Sequence, residues 1–435
     1  MSSLRLLENY SGPFEAGTTI ADFSRRALAR LGREWLLIGH LQDRVGMPLV
    51  LSKHTATEMT QVAIEEWMGA SPIYSARTQR SLNFEGSDIP TLFKCIKLDI
   101  GAPHHFLDFQ FAIADSNHGE FWLDHCGALM DAEPMGEDYV RRMCHDIEDP
   151  TFDATAAAIS PFAKIRPLHR PPRVLARRSP HCHWTATIDE ESGEYLQHPN
   201  LQLVGGSVLA SVPIDVPLED REPGGWPDLS GDIDPNFHLE DLSHSALVIA
   251  LQEIGVQIHL VSRAFLTCVA QRWGEAEAAE FAPQIFAGVA GIGAERLRDE
   301  LQLGTDDASA IAKVLQMHPV FFPHSYVATK VVLIDDSQLR FSLLEGPCFD
   351  EADAHSWLAT FDTCDDSHPA LDAIAFAINP HARSRRVTAK EGERHSFKIV
   401  IDAQAEPQRQ SGYVSLAKIS TGANVTFIPR TEVRR

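Results

Sequence analysis

The residues of this chain best equipped for chemistry are three tight cysteine and histidine groups: His125-Cys126, Cys144-His145 and His181-Cys182-His183. Cysteine and histidine are soft ligands for zinc or iron, and a histidine beside a cysteine is also what lowers a thiol's pKa for attack on carbon. Three readings stay open. In the first, Cys126, Cys144 and Cys182 with His104 hold zinc or iron, and an open position on the metal activates water or a substrate. In the second, the thiol of Cys126 or Cys144 is the nucleophile, with His145 beside it and Asp146 moving protons. In the third, the cysteines simply fill core, where this residue type is often found. None of the groups has the CxxC spacing of a zinc ribbon.

The chain also states itself twice. PTFDATAAAISP at 150 to 161 returns as PALDAIAFAINP at 369 to 380, identical at seven of twelve positions. A shift of 219 or 220 residues brings much of the rest into register, so the chain reads as a tandem duplication. Module one is expected over 18–214 and module two, a degenerate copy, over 238–429, with a leader over 1–17, an acidic Pro/Gly-rich linker over 215–237 and a short tail over 430–435. Polar residues that recur are Glu34/Glu253, His40/His259, Arg44/Arg263, Glu58/Glu277, His104/His324, Cys144/Cys364, Asp146/Asp366 and Asp153/Asp372. His40 and Arg44, four apart in HLxxR, share one helix face and can address a common point, so they are candidate substrate-binding residues. Cys182 falls opposite His395, a swap that core packing tolerates poorly and metal ligation tolerates well.

The elements that must position these residues follow from periodicity. Apolar residues at helical spacing predict a helix from about 20 to 45, copied at 243 to 263, a second at 54 to 68 and 275 to 287, and a third at 89 to 99 and 308 to 318. The period then changes to two, predicting strands at 104–113, 119–124, 162–168 and 182–189, and in the copy at 326–334, 339–344, 381–387 and 395–402. A helical hairpin, 136–146 followed by 150–161, separates the strand pairs of module one. The fold class is thus α+β: two tandem modules, each of N-terminal helices followed by a ββααββ antiparallel sheet layer, paired within one chain as a pseudo-dimer.

Composition narrows the function. With 60 acidic and 38 basic residues the net charge is -22, which repels phosphate backbones and anionic lipid, so neither nucleic acid nor membrane is an expected partner. Seven cysteines, an odd number in a large chain without a signal-peptide pattern or an uninterrupted run of eighteen apolar residues, suggest reduced thiols in a cytoplasmic protein. The basic run IRPLHRPPRVLARR at 165–178 is either a solvated loop or a rim that attracts an anionic small-molecule substrate.

Phe121-x-x-x-x-Cys126-Gly-x-Leu, then Cys144, an Asp-containing helix ending Ser160-Pro161 (Asn379-Pro380 in the copy), then Cys182-x-Trp184 opening a strand, resembles the L-2-amino-thiazoline-4-carboxylic acid hydrolase family. The resemblance is best over 120–190 and partial over 340–402, and the chain departs from the family in Gly127, where proline is common, in lacking a glycine just before Cys182, and in its tandem arrangement. It implies hydrolytic opening of a small ring acid containing sulfur and nitrogen, with Cys126, Cys144 and Cys182 as the residues that carry over. The expected function is a hydrolase acting on a small organic acid. The alternative is a small-molecule or metal-binding sensor or scaffold without turnover.

Overall fold

Leu107–Ile113 (β1) and His118–Cys126 (β2) alternate buried and exposed side chains, and so do Ala163–His169 (β3) and Cys182–Ile188 (β4) at the buried end of each strand. The structure, a computed structural model, describes residues 6–173 and 179–427; positions 174–178 of the basic run and the tail from 428 lie outside them. The four strands form an antiparallel sheet in the order β1-β2-β4-β3, and a second sheet repeats it as β5-β6-β8-β7, from Thr329–Asp335 (β5), Gln338–Leu344 (β6), Ala382–Arg386 (β7) and Glu393–Ile401 (β8). The two halves are therefore α+β modules of one design.

The helices explain themselves locally. Ser24 caps Arg25–His40 (α1) by accepting from the Ala27 amide, and Thr55 with Glu58 forms a capping box on Ala56–Ser81 (α3). The first predicted helix does not run unbroken to 45: it ends at His40, and Asp43–Lys53 (α2) starts afresh with Pro48 inside it. Its copy, His244–Trp273 (α10), lacks that interruption and continues well beyond 263. Helix α3 and its counterpart Glu275–Glu300 (α11) likewise outrun their predicted ends, while Ile89–Lys97 (α4) and Ala308–Met317 (α12) start where expected, capped by Asp88 and Asp307. Between β2 and β3 lie Gly127–Ala132 (α5), Glu137–Arg141 (α6), a π-helical stretch Arg142–Ile147 and Glu148–Ala157 (α7). Pro199–Gly205 (α8) and Val208–Ser211 (α9) close module one; Thr360–Thr363 (α13), Pro369–Ile378 (α14) and Gly412–Ala417 (α15) belong to module two. Helix α10 has the length and apolarity of a membrane span, yet 94% of its most apolar window is buried against its neighbours.

The modules join reciprocally. Glu34 of α1 holds Arg296 of α11 at 2.5 and 3.0 Å, and the equivalent pair, Arg77 of α3 with Glu253 of α10, closes at 3.0 and 3.2 Å. The chain ends are exchanged in the same way: Glu351 of module two accepts the Val208 and Leu209 amides of α9, while Asp131 of module one accepts the Thr421 amide and the Ser420 hydroxyl. Segment 215–237 is correspondingly no loose tether. Leu229 and Phe237 are fully buried, and the Leu229 carbonyl accepts from Lys94. The leader is anchored too, with buried Tyr10 bonded to Gln316.

Candidate functional site

Inside module one, α1, α2, α3 and the α5–α7 region meet the inner sheet face around a cavity of about 200 Å³. Its walls are mostly apolar and aromatic, including Met59, Trp67, Phe109, Tyr139, Phe152 and Trp184. Five of the sequence-derived candidates reach it: His40, Arg44, Cys126, Cys144 and Cys182. Three do not. His104 is buried elsewhere with its Nε2 bonded to the Lys97 carbonyl at 2.7 Å, His145 is bonded to the Pro171 carbonyl at 2.6 Å, and Asp146 is exposed to solvent.

The expected metal set is corrected accordingly. His104 lies apart from Cys126, Cys144 and Cys182, and no group of three His, Cys, Asp or Glu side chains among the described residues converges as metal ligands would. These residues do not fit zinc or iron, so no chemistry is routed through either. The thiols are also poorly disposed to attack. Burial pushes Cys126 up to about 12 and raises Cys144 and Cys182 well above the ordinary thiol range, with the nearby Glu148 adding to all three. Cys126 has a local job as well, for its sulfur caps α5 by accepting from the Leu129 amide. With maleimide at pH 7, the three cavity cysteines are expected to label many times more slowly than in urea, and mass spectrometry of the labelled peptides checks this. Fast labelling of Cys126 or Cys144 in the folded protein would restore the thiol nucleophile.

The recurring polar residues turn out to be largely architectural. Asp153 accepts the Ile165 amide and Asp372 the Ser384 amide, so in each module the doubled helix is tied to the third strand by the same bond. Arg44 meets Asp131 at 3.4 Å, and Arg263 meets Glu351 at 3.5 Å. His40 keeps an open part: it lines the cavity, and burial with the Arg44 charge holds it neutral, down to about 3, against a backbone contact with Ile100.

Two carboxyl groups that sequence reasoning passed over are the better acid–base candidates. Glu148, the first residue of α7, lines the cavity, and burial pushes its carboxyl up to about 8 against the opposing charge of Arg170. Asp43, the first residue of α2, lines another part of it; burial lifts it to about 6, and it hydrogen-bonds both Glu66 and the Trp67 indole. Glu66 behind it is raised well above the usual carboxylate range by burial and by Asp43, so the pair shares a proton. The π-helical stretch sets the rest of the wall, presenting Arg142, Met143, Cys144 and Ile147 to the cavity just before Glu148. The Arg142 guanidinium has no ion-pair partner among the described residues.

Module two has the same frame with the space filled. Leu343 pairs His395 as Leu123 pairs Cys182, so the two residues occupy one register position. Their surroundings differ. Trp357 stacks on Phe286, the counterpart of Trp67, and donates its indole N–H to His259, the counterpart of His40. Phe361 stacks on His368 and His395 and packs edge-on against Phe286 and Phe397. His395 itself faces Asp362 at 3.0 Å and Arg386 at 3.3 Å, and burial holds it below the ordinary imidazole range, so these are polar contacts within the filled core.

No family model, curated protein or solved structure matches this chain.

Proposed function

We propose that module one is a hydrolase-like acid–base site for a small organic acid, and that module two is its structural counterpart. The observation that carries this reading is the placing of two carboxyl groups, Asp43 and Glu148, on the wall of one apolar cavity with their proton affinities pushed apart, the first to about 6 and the second to about 8. At neutral pH Asp43 is then mostly ionised and accepts a proton from water, with Glu66 as its proton-sharing partner. Glu148 is mostly protonated and donates to a departing nitrogen or sulfur. The unpaired Arg142 holds the substrate carboxylate, and the aromatic walls take its body. Resemblance to the ring-opening hydrolases of amino-thiazoline carboxylates supports a substrate of this size and charge, in which a C–N or C–S bond is cleaved.

The test is a panel of small heterocyclic and aliphatic carboxylic acids, read first by thermal shift and then by product formation. Arg142→Met is expected to weaken binding of any acid that stabilises the wild type by about tenfold or more, the scale of a lost charge-assisted bond. Amides of the same acids should not bind. A second reading, ligand binding without turnover, is favoured by the high thiol pKa values and would be left standing if acids bind and none is consumed.

A further inference from the structure

The outer face of the second sheet is basic on a chain that is otherwise strongly acidic. Strand register sets Val332, Arg340, Lys398 and Arg385 in one row across all four strands, Val332 opposite Arg340, Arg340 opposite Lys398, and Lys398 opposite Arg385. Lys330 and Arg383 flank the row, giving five cations on one sheet face. Like charges directly opposite one another on neighbouring strands repel. Neutralisation is partial: Arg340 pairs with Glu393 at 2.7 Å and Asp335 feels the charge of Lys398, whereas Lys330 and Arg385 have no ion pair among the described residues. Module one carries nothing similar. Its equivalent row is Ala112, Glu120, Thr185 and Arg166, with a single cation, and that Arg166 is taken up by Asp153.

Strand β5 adds a second feature. It is an edge strand, its outward side chains Val332 and Ile334 are 40% and 53% exposed, and no described residue hydrogen-bonds the backbone from Lys330 to Ile334 on its free side. An edge of this kind accepts an added strand. The size of the patch decides what can use it. Four strands span only about 15 Å, about two Debye lengths at physiological salt, and the surface around them belongs to a chain with net charge -22. A duplex or a lipid surface extends into that repulsive region, and the face offers no aromatic ring for base stacking. A short extended segment does not meet either problem.

We propose that the β5 edge and the basic outer face of the second sheet dock an extended acidic segment of a partner protein, which adds as a strand beside β5 with its carboxylates turned toward Lys330 and Arg340, while Lys398 and Arg385 farther across the face add longer-range attraction. The proposal is independent of the chemistry assigned to module one. The test uses the full chain and a fluorescein-labelled octapeptide of alternating glutamate and valine, followed by anisotropy, with a lysine–valine octapeptide, a single-stranded oligonucleotide of equal charge and phosphatidylserine vesicles as comparisons. The acidic peptide is expected to bind alone of the four, to weaken at least tenfold in a Lys330→Glu/Arg385→Glu/Lys398→Glu variant, and to slow hydrogen exchange of the β5 amides. All three substitutions are at solvent-facing positions, and circular dichroism verifies that the variant is folded. Absence of peptide binding, equal binding by the variant, unprotected β5 amides, or preference for the oligonucleotide or the vesicles each overturns the proposal.

Discussion

Glu148→Gln is expected to lower kcat on any acid that module one turns over by 10²- to 10⁴-fold, roughly the contribution of one positioned general acid. The pH profile gives the sharper reading. With Asp43 at about 6 required as base and Glu148 at about 8 required as acid, kcat/KM in the wild type rises through the first value and falls through the second. The variant keeps the acid limb and loses the alkaline one. Stability should move in a related way. In the fold Glu148 holds its proton up to about 8, whereas an unfolded glutamate releases it near 4.5. Between those values the folded chain binds the extra proton, so this group's contribution to stability is full at low pH and is lost as pH rises through about 8. Glutamine has no such dependence. Urea unfolding at pH 5, 7 and 9 should therefore show the variant gaining on the wild type with each step. A constant difference across the series would mean that Glu148 is ionised in the fold, and the acid role would go with it.

Trp357→Ala is the second large effect, and it concerns the other module. The side chain is fully buried, stacked on Phe286 with ring centroids 5.1 Å apart, and bonded to His259 at 3.0 Å. Truncation empties the space that in module one is cavity and strands a buried imidazole nitrogen. A loss of about 3–5 kcal/mol is expected, measured by urea unfolding. Small apolar compounds should recover part of it by refilling the void, as they do in engineered apolar cavities. A loss below about 1 kcal/mol would show that the plug is loosely packed and that the modules differ less than their side chains imply.

Much of the fold was legible because duplication supplies two independent statements of each element. The strands were placed to within about three residues, since alternation over a half-buried sheet is a strong signal. The break after His40 was not, because nothing in the apolar spacing around Leu41 and Val45 marks it; Pro48 alone hinted at it. The site was half legible. Five candidates line the cavity, yet the polar residues chosen because both copies share them are mainly those that hold the frame: Asp153 and Asp372, Arg44 and Arg263, Glu34 and Glu253. Asp43, Glu66 and Glu148 face Ser262, Ile285 and Ser367 in the copy. A search for agreement between copies discards such positions. What both modules need is architecture, and what only one retains is the better guide to chemistry. Periodicity could not reveal them either, because a carboxyl group on a cavity wall sits where an apolar residue would satisfy the same helix.

The reciprocal joints have a consequence for how the halves can differ. Glu34 to Arg296 and Glu253 to Arg77 are one contact made twice, as are the two exchanged chain ends. Contacts that come in mirrored couples across an axis are the signature of two identical chains meeting on a two-fold. This chain is thus joined as a homodimer is joined, but with its two halves covalently linked, so each of the paired joints and each of the two interiors can carry different residues, as the second interior carries Trp357.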